Sequence, residues 1–409
     1  MLFQAPPLDP QEEEVLGKVS ELRRLLGHAV SDQPKRWYGL LRRSTFARAV
    51  KGSNSIEGYD VSLDDAIAAA EGEEPLDPKT EAWANVAGYQ SAMSYVLQLA
   101  GDTHFRYSTD LLRSLHYMML QHMLAKNPGR WRPGSIFVFD DEKEERVYVG
   151  PDAELIPELM DELTVSLNEN QGMPGVIKGA LAHLNLLMIH PFSDGNGRMA
   201  RCLQTMVLAR SGILAAPFSS IEEYLGRNTR AYYDVLTSVG GGSWHPERDA
   251  RPWIRFCLTA HFRQATTLLI RTREIRRLWD VLEEEIAKRA LPERTILVMA
   301  DAATGLRVRN ATYRSIAEIT ENLASKDLKL LVEQGLILPQ GEKRGRFYVA
   351  SDFLKVLRMK TGEPRRVEDP FAGELLRRQE VQPFSRSKPD NAAAARGDLV
   401  GGGIDSLRP

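Results

Sequence analysis

Apolar residues recur at three- and four-residue intervals over most of the chain, the spacing of one buried face of an α-helix. From Gln11 onward Val15, Val19, Leu22, Leu25 and Leu26 predict an N-terminal helix and then a loop, with a second helix over Ser44–Ile56. Further helices are expected around Lys79–Leu99 and Thr109–Ala125, where Leu111, Leu115, Met118, Met119 and His122 fall on or near one face. That methionine-rich stripe reads as core rather than as a ligand site. The pattern changes in GRWRPGSIFVFDDEKEERVYVGP, where two short β-branched and aromatic runs, Ile136–Phe139 and Val147–Val149, flank an acidic turn and predict a β-hairpin. Helical spacing resumes at Ala153–Asn168, Val176–Ile189, Met199–Arg210, Arg230–Thr237 and from Pro252 to about Arg289. No alternating strand–helix series occurs, which disfavours a doubly wound nucleotide fold. After residue 290, TYRSIAEIT, a break at ENLA, SKDLKLLVEQGLI and LPQGEKRGRFYVA give helix, turn, helix and a strand pair around a basic tip. That order resembles a winged helix-turn-helix.

Length and charge narrow the classes. At roughly 150 residues per domain, 409 residues predict two or three units. With 53 Lys and Arg against 55 Asp and Glu, the net charge of -2 argues against a dedicated nucleic-acid binder. Tyr313–Val349 carries six basic and five acidic residues, so a packing or protein-interaction role is favoured there and DNA binding is not. Two cysteines, Cys202 and Cys257, exclude a disulfide scaffold and suit a reducing compartment. No apolar run reaches membrane-spanning length, and the start, MLFQAPPLDPQEEEVLG, has no leader pattern, so a soluble cytoplasmic protein with no membrane partner is expected. The residues after about 360 balance eight basic with eight acidic groups and read as a flexible tail.

The chemistry concentrates in HPFSDGNGRMAR, His190–Arg201. An amphipathic helix delivers His190 at its C-terminal end, and Pro191 stops it. The glycines of Asp194-Gly195-Asn196-Gly197 permit a tight turn whose N–H groups face a ligand at the start of the next helix, an anion site. Arg198 and Arg201, three apart, share a face and can hold phosphate oxygens. Asp194 offers one hard oxygen to a Mg²⁺ that completes its shell with phosphates and water. A base, a metal ligand, an anion nest and two phosphate clamps define a phosphoryl- or nucleotidyl-transfer site.

At these residues the sequence resembles the Fic family, whose signature HPFx[DE]GNGRxxR is present at every fixed position, within a resemblance over roughly residues 40 to 260. It implies a mainly α, Fic-type helical bundle with a β-hairpin flap, plus the small C-terminal winged helix-turn-helix. The implied layout is an N-terminal helical region at 1–100 with an inhibitory helix near 44–58, a catalytic core at 101–290 with its flap at 129–150, a winged-helix-like domain at 291–355 and the tail at 360–409. The implied reaction moves AMP from Mg²⁺-ATP to a Ser, Thr or Tyr hydroxyl of a target protein. By this resemblance His190 is the general base, Phe192 seats the loop and Asp194 binds Mg²⁺. Gly195, Asn196 and Gly197 form the anion hole, followed by Met199 and Ala200, with Arg198 on the γ-phosphate and Arg201 on the inner phosphates. Ile136, Phe137, Val138 and Phe139 lie near the nucleotide on a flap that pairs with an extended target segment. Asn228, Tyr232 and Tyr233 resemble an adenosine-pocket segment.

Upstream, Ser53-Asn54-Ser55-Ile56-Glu57-Gly58 places Ser53 and Glu57 four apart on one helical face, with Gly58 placed to end the helix. Beside a Fic core it resembles the family's [ST]xxxE[GN] inhibitory motif, which implies autoinhibition by Glu57 pairing with Arg198. Two other readings keep these residues: removal of AMP, or transfer of another phosphate-containing group, by the same site, and a winged-helix regulator with a vestigial Fic core. Exposed apolar faces of the N-terminal helices allow a homodimer without requiring one.

Overall fold

The computed structural model of the chain describes residues 1–31, 37–71, 81–140, 145–169, 172–212, 216–342, 345–364 and 368–372. Helices dominate: α1 (Pro10–Ser31), α2 (Tyr38–Ile56), α3 (Leu63–Glu71), α4 (Glu81–Leu99) and α5 (Thr109–Leu120) precede a hairpin of β1 (Phe137–Asp140) and β2 (Glu145–Val149). Then come α6 (Ile156–Asn168), α7 (Gly175–Ile189), α8 (Asn196–Arg210), α9 (Glu222–Arg227), α10 (Thr229–Gly240) and α11 (Arg251–Lys288). The chain continues with α12 (Ile296–Ala303), α13 (Asn310–Ala317), α14 (Glu321–Glu333), β3 (Ile337–Gln340), β4 (Phe347–Ala350) and α15 (Asp352–Thr361). The sequence pattern misses α3, α9 and α12, which are too short to repeat an apolar face, and it also misses α15. The expected break at ENLA is instead the first turn of α14. The break falls at Glu318, whose φ is 54°, before extended Thr320 and the acidic start of α14.

α7 and α8 form the central pair. The face-to-face approach is permitted by Gly179, where a Cβ would sit 3.3 Å from Leu208. α7 is apolar almost all round, as a helix buried on every side must be, whereas α8 buries Arg198, Arg201, Gln204 and Thr205 as well as its apolar residues. Buried polar groups need partners or a ligand, so α8 marks where function sits.

Three apolar clusters surround this pair. One joins α4, α5, α6, α7 and α8; a second joins α1, α7, α10 and α11. The third joins Trp37, Leu40, Leu41 and Ile67 to Leu278, Met299, Leu328 and Leu354. Residues 291–355 therefore pack against α2 and α11 within one compact unit of residues 1–371. The expected tail lies outside the described residues from 373 on. Its beginning is packed: Glu363 pairs with Arg273 and Arg277, and Gln11 donates to the Phe371 carbonyl.

α2 crosses α9 at a glycine pair. A Cβ on Gly52 would lie 2.5 Å from the Glu222 carbonyl oxygen, and one on Gly226 would lie 2.7 Å from Gly52 Cα. Because the obstacle is backbone, no side-chain rotation relieves it. Gly52→Ala is expected to cost about 1–3 kcal/mol by overpacking; an unchanged urea midpoint would contradict the crossing.

Candidate active site

His190 caps α7 in the left-handed region, φ 52°, and the carbonyls around it are taken one after another. The His190 amide donates to Leu186 O at 3.0 Å, its Nδ1 to Leu187 O at 3.1 Å, and the Tyr148 hydroxyl to Met188 O at 2.8 Å. Arg132 then donates from Nε to His190 O at 2.8 Å and from its amide to Pro191 O at 2.9 Å. With Nδ1 donating, the lone pair of the neutral ring is on Nε2. Burial pushes the His190 pKa down to about 4, so the imidazole is neutral and able to accept a proton at cellular pH.

The following loop is shaped by two side chains. Asn196 accepts from the Phe192 amide at 2.9 Å and donates to the Phe192 carbonyl at 2.8 Å. Its side chain is committed to the Phe192 backbone, and its main-chain N–H is left for an anion. Phe192 is buried, stacked on His116 with ring centres 3.7 Å apart. His116 Nδ1 accepts from the Gly129 amide at 2.8 Å, so Nε2 carries the proton donated to Asp194 O at 2.9 Å. A single buried imidazole thus ties the loop to the start of the flap segment. His116 sits inside the apolar stripe of α5, and nothing in that stripe set it apart in the sequence.

Gly195, φ 74°, makes the turn, and α8 starts at Asn196. The amides of its first turn have no preceding helical carbonyl to bond, which leaves them for a negative ligand. The Asp194 carboxylate accepts from the Gly195 amide at 2.6 Å and stands 3.6 Å from Lys126 Nζ. Among the described residues no three His, Cys, Asp or Glu groups converge on a metal position. One carboxylate beside an anion loop suits a Mg²⁺ that arrives with phosphates rather than a resident ion.

The two arginines are both buried and differently engaged. Arg201 donates from Nε to Ser53 Oγ at 2.7 Å, and from Nη2 to Ser53 O at 3.0 Å and to Glu57 Oε1 at 2.6 Å. Arg198 instead donates to Asn85 Oδ1 at 2.5 Å and lies over the Tyr59 ring. The expected Glu57–Arg198 pair is therefore replaced by Glu57–Arg201. α2 ends at Ile56, Gly58 takes φ 81° just beyond, and this end meets α8 on the Arg201 side. Arg198 Nε and Arg201 Nη1 remain buried without a hydrogen-bond partner, two guanidinium donors awaiting an anion. Glu57 also lies against Gly197, where a Cβ would sit 2.4 Å from Glu57 Oε1.

Other predicted positions separate. Met199 and Ala200 are fully buried in the α4–α8 cluster, together with Phe192 of the loop. Tyr232 is also core, its hydroxyl bonded to His183 Nε2 at 2.9 Å, so it packs rather than lines a pocket. Tyr233 is half-exposed and donates to Ile56 O at 3.3 Å, at the end of α2. Asn228 joins α9 to α10, its amide donating to Tyr224 O at 2.8 Å. Ile136 precedes β1; Phe137, Val138 and Phe139 pair with Val149, Tyr148 and Arg146, with a register shift after Val138. The guanidinium of Arg146 lies over the Phe137 ring. Most of the acidic turn, residues 141–144, lies outside the described residues.

His116, His183 and His190 are all held neutral by burial, at about 4, 3 and 4. Their folded pKa values lie below the unfolded value of about 6.5, so the unfolded chain takes up protons first as pH falls. The stability they permit is complete above about pH 6.5 and is lost as pH drops toward 4, each contributing up to ~1.4 kcal/mol per pH unit. Urea midpoints are expected to fall steeply from pH 6.5 to 5; a flat profile there would contradict neutral burial.

Residues 106–208, which span the helices and loop that carry this site, match the Fic/DOC family model. The chain is similar to curated proteins named protein adenylyltransferase Fic, at 27% identity over 255 residues from Nematostella vectensis and 28% over 256 residues from Culex quinquefasciatus. These alignments cover 61% and 62% of this chain and 55% and 47% of the relatives, so the chain spans about half the length of the curated relatives it matches. Among solved structures, a Fic family protein from Desulfovibrio desulfuricans aligns with a TM-score of 0.54 at 19% identity, over 89% of this chain and all of that one. Fic-1 from C. elegans (aa134 - 508) aligns with a TM-score of 0.51 at 23% identity, over 63% of this chain and 72% of that one. Both likenesses are of fold. No helix among the described residues is long and apolar enough to cross a membrane.

Proposed function

We propose that this chain is a protein adenylyltransferase that moves AMP from ATP to a hydroxyl of a target protein and is restrained by its own Glu57. The observation that carries the reading is a neutral His190 with Nε2 free, at the mouth of a helix N-terminal loop, beside two buried arginines with unpartnered donors. The relatives named protein adenylyltransferase support the same chemistry.

His190 Nε2 takes the proton of the target hydroxyl as that oxygen attacks the α-phosphorus. A P–O bond forms to the target, the bond to the β-phosphate oxygen breaks, and pyrophosphate leaves. Amides of Gly195, Asn196 and Gly197 and the guanidinium of Arg198 offset charge on the phosphates. Asp194 would hold a Mg²⁺ that neutralises the polyphosphate. Because Glu57 occupies Arg201 and not Arg198, this reading departs from the expected assignment and gives the terminal phosphate to Arg201 once Glu57 withdraws.

The target meets the flap along β1. The far edge of β2 is occupied, with Val149 N donating to Gly242 O at 3.0 Å and Val149 O accepting from Trp244 N at 3.2 Å. β-Strand addition therefore has the β1 edge to use, and hydroxyl residues on an extended segment suit it. The helices and hairpin after residue 291 act in this reading as a packing and interaction module, supported by the apolar cluster they share with α2 and α11. ATP labelled at the α-phosphorus is expected to leave label on protein and ATP labelled at the γ-phosphorus is not; the reverse outcome would replace AMP transfer with phosphorylation.

A further inference from the structure

The base and the flap are separated by some forty residues of chain, yet one buried side chain holds both. Arg132 is 3% exposed. From the segment entering the flap, its Nε donates to the His190 carbonyl at 2.8 Å and its amide to the Pro191 carbonyl at 2.9 Å. Its two terminal nitrogens donate to the carbonyls of Gly134, at the entry to β1, and Pro151, just beyond β2. Five N–H groups in a rigid fork are what allows one residue to serve carbonyls in several directions. Gly150 accommodates the fork, since a Cβ there would lie 3.1 Å from Arg132 Nη2. Tyr148 of β2 adds a second tie through Met188 O.

We propose that Arg132 is a positioning residue that locks the backbone of His190 to both legs of the flap, so that the strand receiving the target and the imidazole receiving its proton move as one body. This rests on the reading of His190 as the base. His190 occupies a left-handed conformation, which is strained for a residue with a side chain. The Arg132 bond to His190 O and the Tyr148 bond to Met188 O add to the bonds His190 makes to Leu186 O and Leu187 O in holding it there. Small displacements of a base cost rate steeply because proton transfer needs hydrogen-bond reach.

Two readouts test this, one independent of any reaction. Imidazole ¹⁵N spectra at pH 7 are expected to show His190 protonated at Nδ1 in the wild type and averaged between tautomers in Arg132→Met. In a Glu57→Gly background, self-modification at saturating Mg²⁺-ATP is expected to slow about 100-fold in Arg132→Met, with the ATP concentration for half-maximal rate changed less than twofold. Arg132→Lys, which keeps charge and part of the bonding, should recover part of the rate. Tyr148→Phe removes one hydroxyl and no volume, and should slow the reaction several-fold with the same half-saturation even where Arg132→Met fails to fold. An unmoved His190 spectrum in both Arg132→Lys and Tyr148→Phe, or an unchanged maximal rate with weakened ATP use, would overturn the proposal. A shifted spectrum in protein whose Glu57→Gly form incorporates no AMP would leave the positioning role standing and remove the adenylyl-transfer reading instead.

Discussion

Glu57→Gly is expected to raise incorporation of α-labelled AMP, including self-modification, by about two orders of magnitude. Arg201 is 1% exposed at its side chain and Glu57 26%, so their 2.6 Å contact is largely desolvated. Breaking such a pair from one side costs ~3–5 kcal/mol, and a nucleotide whose terminal phosphate needs Arg201 meets that cost while Glu57 stays. At about 1.4 kcal/mol per tenfold in rate, even the lower figure gives roughly a hundredfold suppression. Ser53 adds two further bonds to the same guanidinium, so α2 presents Arg201 with a competing shell rather than a single rival. The glycine substitution leaves those bonds and the α2–α9 crossing in place, and its effect should appear in activity and not in fold. Equal incorporation by wild type and variant would remove the autoinhibition claim.

His190→Ala in the activated Glu57→Gly background is expected to reduce AMP transfer at least a thousandfold. General-base catalysis typically contributes about 10²–10⁴, and the buried His116 and His183 have both ring nitrogens bonded to neighbours. The truncation removes the Nδ1–Leu187 bond as well, but Tyr148 and Arg132 still cap the end of α7, so the loop should keep its shape. Residual ATP binding with transfer abolished is therefore the expected pattern, measured by nucleotide titration alongside label incorporation.

What the sequence reveals follows the range of the interactions involved. His190–Arg201 is legible because base, loop and arginines are neighbours along one chain segment, and the Gly195 turn, φ 74°, is a local requirement. Ser53 and Glu57 are legible as a pair because helical spacing puts both on one face. Which arginine they meet is not, since Arg198 and Arg201 share a face and the choice depends on the side from which α2 arrives, 144 residues away. The same distance hides Asn85, His116, Arg132 and Tyr148, each of which acts on the site through a contact that spacing cannot encode. Met199 and Ala200 were drawn toward the ligand by adjacency alone, yet α8 is enclosed on all sides and those two positions face the core. Tyr232 shows the converse: the resemblance puts it in an adenosine-pocket segment, and its bond to His183 makes it interior. Beyond residue 291 the pattern shows α13, α14 and the strand pair but not α12 or α15, and not the packing against Trp37 and Leu40, because one apolar face looks the same whichever neighbour covers it.

One event is central, transfer of AMP by His190 once Glu57 is gone. Intact-protein mass measurement of Glu57→Gly and of Glu57→Gly/His190→Ala, each incubated with Mg²⁺ and ATP, reads it out. A mass gain of one or more AMP units is expected on the first protein and none on the second. An AMP adduct that persists without His190, or an adduct of a different phosphate-containing group, would contradict it.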